Sequence, residues 1–118
     1  MKFAEVQTFV SDIARAREFY EETLGLQLKQ EHAEWLIFAL GDVEFVVMGG
    51  ATRQSNCHEY GKSACTVLCL ETDDIDRDFL KLKQRGVSFF SEVKTVAQGR
   101  FVAFKDPDGN PLELIQKK

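Results

Sequence analysis

The chain has 118 residues, 44% of them hydrophobic and 29% charged, which is the profile of one globular domain with a real core and not of a disordered chain. A formal net charge of −4 excludes the clustered basic footprint of a nucleic-acid binder. No apolar run reaches the length of a membrane span, and the opening MKFAEVQTF lacks a signal peptide's apolar core, so a soluble cytoplasmic protein is expected.

Lys2 to Val10 alternates and is rich in β formers, which predicts a first strand. Ala4, Val6, Thr8 and Val10 form its core face. Phe3, Glu5, Gln7 and Phe9 form the other, whose mixture of aromatic and polar groups suits a partly wet concave surface. Asp12 is an N-cap for a helix from Ile13 to Leu24 with an apolar stripe of Ile13, Ala16, Tyr20 and Leu24, and Gly25 stops it. Strands are predicted at Leu26 to Gln30, Trp35 to Leu40 and Val43 to Met48, the last two joined by a Gly41-Asp42 hairpin turn. The polar stretch GGATRQSNCHEYGK, Gly49 to Lys62, is the candidate linker.

Ser63 to Glu71 reads as the next strand, with Cys65, Val67 and Cys69 on one face. Asp73 or Asp74 caps a second helix with the stripe Ile75, Phe79 and Leu82, and Gly86 ends it. Val87 to Val93 is predicted as a strand and Thr95 to Gly99 as a loop. The chain closes on the hairpin FVAFKDPDGNPLELIQ, Phe101 to Gln116. Phe101, Ala103 and Lys105 share one face of its first strand. In the turn, Pro107 presets φ, Asp108 bonds its own backbone and Gly109 accepts positive φ. Glu113 stands out as an acid set within an apolar strand. A carboxylate buried there without a partner costs several kcal/mol, so it must face a cavity, a cation or water.

The two halves repeat. Asp12-Ile13 and Arg15 recur as Asp74-Ile75 and Arg77, and Gly25 recurs as Gly86. Each half reads strand, Asp-capped helix, glycine stop and about three strands, so β-α-β-β-β is written twice. Three cysteines without paired spacing make no disulfide framework; Cys65 and Cys69, about 13 Å apart on a strand at 3.3 Å per residue, are too distant to bridge. Small, buried, reduced thiols are expected. The adjacent Cys57 and His58 are rejected as a nucleophilic pair, since such dyads are close in space and not in sequence.

The repeated module and the F-x-DPDGN-P-x-E-L ending resemble the vicinal oxygen chelate superfamily, which includes glyoxalase I, bleomycin resistance proteins, fosfomycin-modifying enzymes and extradiol dioxygenases. Val10-Ser11-Asp12-Ile13, Phe19-Tyr20 and Leu24-Gly25-Leu26 also look like its first module, and the likeness covers nearly the whole chain. It implies an α+β fold, in which two βαβββ modules (about 1–49 and 63–118, linked by about 50–62) form one domain, 1–118, shaped as a half-barrel cup. It also implies a homodimer.

The family's enzymes hold a divalent metal with one side chain from the first and last strand of each module. The matching positions here are approximately Glu5, Val46, Val67 and Glu113. Two are acids and two are valines, which cannot ligate. His32 and His58 fall in loops, away from these positions. The expectation is therefore a metal-free protein that binds a small organic molecule, lined by Glu5, Gln7, Val46, Met48, Val67, Phe101 and Glu113. Trp35 is placed either to stack on a flat ligand or to form a rim or dimer contact. Cys65 and Cys69 share this cavity, and whether Tyr60 reaches its mouth is left open. The alternative is a metal-dependent lyase, isomerase or dioxygenase-like enzyme in which Glu5 and Glu113 bind the metal or act as acid and base.

Overall fold

The computed structural model describes residues 1–52, 60–62 and 66–118; Cys57, His58 and Cys65 lie outside this set. The chain divides into two compact units, Met1–Gln54 and Ser55–Lys118.

In the first unit, β1 (Glu5–Phe9) is followed by a helix, α1 (Ile13–Arg17), which continues as a wider helical turn over Glu18–Thr23, then β2 (Gln27–Glu31), β3 (Trp35–Leu40) and β4 (Val43–Met48). The strands form one sheet in the order β1-β4-β3-β2. β1 runs parallel to β4, pairing Glu5 with Glu44, Gln7 with Val46 and Phe9 with Met48. One sheet face carries Phe45, Val47, Leu36 and Phe38, all buried together with Ala16, Phe19 and Tyr20 of the helix. Tyr20 is the centre of this core, with its ring 5.1 Å from both Phe19 and Phe45 and 6.0 Å from Phe38. Crowding of these rings accompanies the widened turn, where the Leu24 N–H reaches back five residues to the Phe19 carbonyl at 2.9 Å.

The second unit contains β5 (Leu68–Glu71), α2 (Ile75–Gln84), β6 (Ser88–Phe89), β7 (Lys94–Val96), β8 (Gly99–Lys105) and β9 (Pro111–Lys117). Its sheet has the order β5-β9-β8-β6, with β7 paired to β8. Val102, Phe104, Leu112 and Leu114 turn inward with Ile75 and Leu82 of α2. Phe89 bridges helix and sheet, edge-on to Phe79 at 4.5 Å and tilted against Phe104 at 5.6 Å. The Ile75 N–H donates to the Gln116 side-chain carbonyl at 2.8 Å, fixing the start of α2 to β9. The architecture is thus α+β, with two sheets and few helices.

The repeat is visible in the caps. Asp12 is extended (φ −141°) and its carboxylate accepts from the Arg15 N–H at 3.1 Å; Asp74 is extended (φ −148°) and accepts from the Arg77 N–H at 3.0 Å. Each bond satisfies an orphan donor of a helix's first turn. Of the two acids offered by the sequence, Asp74 is the cap. Gly25 and Gly86 follow the helix ends with φ of 75° and 86°.

Several expectations are corrected. β1 begins at Glu5, leaving Lys2 to Ala4 exposed outside it. The strand expected at Val87 to Val93 is only Ser88–Phe89, because the chain bends at Phe90 to Ser91, and Lys94–Val96 forms a strand where a loop was expected from Thr95. Cys69 is exposed, not buried, since it lies on the outward face of β5. The turn is tied by Asp106: its carboxylate accepts from the Asp108 and Asn110 N–H groups at 2.9 and 2.8 Å and from the Asn110 side-chain amide at 2.9 Å.

Candidate functional site

Glu113 owes its position to alternation along β9. Leu112 and Leu114 are drawn into the core, so Glu113 must emerge on the opposite face, half-buried, between Cys69 of β5 and Ala103 of β8. Phe101 stands on the same face of β8 by the same alternation. The Glu113 carboxylate accepts a hydrogen bond from the Tyr60 hydroxyl. Tyr60 in turn stacks on Phe90, with centroids 5.7 Å apart and planes 22° apart. Phe90 is 45% exposed, which leaves aromatic surface beside the carboxylate open to solvent.

The charge of Glu113 governs its neighbours. Partial burial, the hydrogen bond to Glu113 and the carboxylate's charge together push the Tyr60 hydroxyl up to about 12. Burial of the sulfur and the same carboxylate raise the Cys69 thiol. Both groups therefore stay protonated at neutral pH and act as donors; neither is an activated nucleophile. Cys69 directs its sulfur toward the Val67 carbonyl at 3.8 Å.

Subtracting the alkaline absorbance titration of Tyr60→Phe from that of the parent isolates Tyr60. Its ionisation is expected well above the ordinary tyrosine value of about 10, and lower again in Glu113→Gln. A folded pKa raised above the unfolded one means that Tyr60's stabilising contribution is complete below pH 10 and is lost as the pH rises toward 12. A parent transition at the ordinary value removes the Tyr60–Glu113 bond.

In the first unit, Glu5, Gln7 and Phe9 share a face with Glu44, Val46 and Met48. Gln7 donates its side-chain amide to Glu5 at 2.9 Å, and Lys29 pairs with Glu44 at 3.2 Å. Trp35 pairs with Met48 across β3 and β4, and His32 stacks on it with centroids 3.5 Å apart. This occupies one face of the indole.

The strand registers give the repeat a residue-level meaning. Gln7 stands five residues before the cap Asp12 and Cys69 five before Asp74, and their cross-strand partners are Val46 and Glu113. Val46 is thus the first-unit counterpart of Glu113, and Val67 the second-unit counterpart of Glu5. Valine offers no donor, and each acid is already hydrogen-bonded within its own unit. Among the described residues no group of three or more His, Cys, Asp and Glu is placed to hold a metal ion. A borderline divalent metal takes about three protein ligands with imidazole or thiolate among them, and this donor set does not fit one.

Tyr60 and Phe90 also stand in the neighbourhood of Glu113. Phe90 was not signalled by the sequence, where it read as part of a longer strand. The adjacent Phe89-Phe90 pair was the available hint, since neighbours in an extended chain point to opposite sides.

Residues 2–114 match the Glyoxalase/Bleomycin resistance protein/Dioxygenase superfamily, and the chain belongs to that family. It is 30% identical over 114 residues, 92% of each chain, to the uncharacterized protein YetH of Bacillus subtilis (strain 168). Among solved structures it is similar to a glyoxalase/bleomycin resistance protein from Streptomyces sp. CB03234, at 32% identity and a TM-score of 0.70, over 98% of this chain and 100% of that one. TnmS3, an antibiotic binding protein from the same organism, is 30% identical with a TM-score of 0.71, over 100% of this chain and 99% of that one. No helix among the described residues is long and apolar enough to cross a membrane.

Proposed function

We propose that this chain is a metal-free small-molecule binding protein of the glyoxalase/bleomycin resistance type. The observation that carries the reading is Glu113: a half-buried carboxylate bonded by Tyr60 beside an exposed aromatic ring, with valines at two of the four positions where a metal would need donors. Glu5, Gln7, Val46, Met48 and Trp35 are the proposed ligand contacts of the first unit. Val67, Phe101 and Glu113 are those of the second. The similarity to TnmS3, an antibiotic binding protein, supports a ligand that is a small organic molecule. We further propose a cytoplasmic homodimer, which sedimentation equilibrium tests by reading twice the 13.4 kDa chain mass.

The test of the metal-free reading is elemental analysis of protein purified without chelator or affinity metal, beside Glu113→Gln. Neither is expected to carry metal, and added Mn²⁺, Co²⁺, Ni²⁺ or Zn²⁺ is expected to leave the melting temperature unchanged. A ligand that binds only the folded state raises it. Near-stoichiometric metal in the parent and none in the variant overturns the reading. The protein is then a metalloprotein that needs the Glu113 carboxylate to hold its ion.

A further inference from the structure

Resting on the binding role proposed above, we infer the chemical class of the ligand: a flat aromatic body bearing a hydrogen-bond donor, in its strongest form a protonated amine, and not a carboxylate, phosphate or sulfonate. The groups around Glu113 carry this. Tyr60 and Cys69, polar neighbours of Glu113 among the described residues, are both donors whose charged forms Glu113 disfavours. Among the described residues Glu113 forms no ion pair. A partly desolvated carboxylate gains most from a cation and next most from a neutral donor, and it repels an anion.

The aromatic wall adds in the same direction. Tyr60, bonded to the carboxylate, stacks on the exposed Phe90, and aromatic rings attract cations and stack on flat π systems. The cations near this face are exposed, where water and salt screen them. Lys117 is paired with Glu71 at 3.3 Å. Lys105 is exposed at the hairpin end, opposite Pro111 and two positions from Ala103. Lys62, two residues from Tyr60, is also exposed.

Three probes on one ring system test the inference: 9-(aminomethyl)anthracene, an ammonium at pH 7, 9-anthracenemethanol, neutral, and anthracene-9-carboxylate. Each is titrated into the full chain and followed by anthracene fluorescence. The ammonium is expected to bind tightest and the carboxylate weakest, with about a tenfold gap between them. Added salt should narrow that gap. Glu113→Gln is expected to bring the ratio toward one while the neutral alcohol still binds. Tyr60→Phe keeps the ring and removes the competing donor, so it should retain or widen the ammonium preference; it also serves if Glu113→Gln fails to fold. A carboxylate that binds as tightly as the ammonium overturns the inference and leaves the binding role standing. An ammonium preference unchanged in Glu113→Gln does the same. Failure of all three probes to bind overturns the flat aromatic body and leaves the binding role to the test given above.

Discussion

Replacing Asp106 by alanine is expected to destabilise the protein by about 3–5 kcal/mol, a large share of the 5–15 kcal/mol typical of a domain. Asp106 is only 3% exposed and is the buried charged residue among those described. Its carboxylate accepts hydrogen bonds from the Asp108 N–H, the Asn110 N–H and the Asn110 side-chain amide. Its own backbone closes the turn, with the Asp106 N–H donating to the Asn110 carbonyl at 2.9 Å and its carbonyl accepting from the Gly109 N–H at 3.0 Å. Truncation leaves those donors facing a void, and a bond to a charged acceptor is worth about 1.5–3 kcal/mol. The three are not additive, which sets the total below their sum. Asp106→Asn keeps an acceptor without the charge and should cost about half as much. Urea unfolding measures both, as a fall in midpoint at unchanged slope. A loss under about 1 kcal/mol for Asp106→Ala would show that the carboxylate does not hold the hairpin.

That hairpin marks where the sequence could and could not be read. Gly109 was legible as the positive-φ position, with φ 89° in the structure, because only local sterics decide it. Which aspartate ties the turn was not. Asp106 and Asp108 are equally suited to such bonds, and burial, a tertiary fact, distinguishes Asp106. The caps Asp12 and Asp74, the stops Gly25 and Gly86, and the outward placement of Glu113 were legible because each follows from a local rule. β7 was hidden for the opposite reason. Its three residues are all exposed, so no apolar face announces a strand, and its existence depends on pairing with β8.

The candidate site divides the same way. Glu113 was visible as an acid among apolar neighbours, and Cys69 followed from alternation. The expectation that Cys69 is buried failed because its strand face is the open one. Tyr60 and Phe90 lie thirty positions apart, and no periodicity links a loop tyrosine to the end of a two-residue strand. Their stack is set by β6 turning Phe89 inward against Phe79 and Phe104, which obliges Phe90 to face outward.

Gly99→Ala is expected to be at least as damaging to the second unit, with a loss of about 3–5 kcal/mol. Gly99 opens β8 opposite Lys117 and also closes the tight connection from Val96 of β7. Its φ of 148° suits glycine, and a Cβ there would stand 2.1 Å from the Gln116 carbonyl oxygen and 3.1 Å from Lys117 Cα. Those are backbone atoms of the neighbouring strand, so no side chain can swing aside. The strands must part, and the bonds that pair both β7 and β9 with the start of β8 weaken together. The Gln116 side chain also holds the first N–H of α2, at Ile75, so the displacement reaches the helix. Gly109→Ala is the control: its φ is also positive, but a Cβ there meets nothing within 4 Å, and conformational strain alone costs about 1–2 kcal/mol. Urea unfolding of the two variants should separate them by about 2 kcal/mol or more, with amide exchange in Gly99→Ala rising first at β7, the start of β8 and the first turn of α2. Equal losses in the two variants would mean that β8 and β9 tolerate the added methyl by moving apart, and that this close approach is not what locks the edge of the sheet.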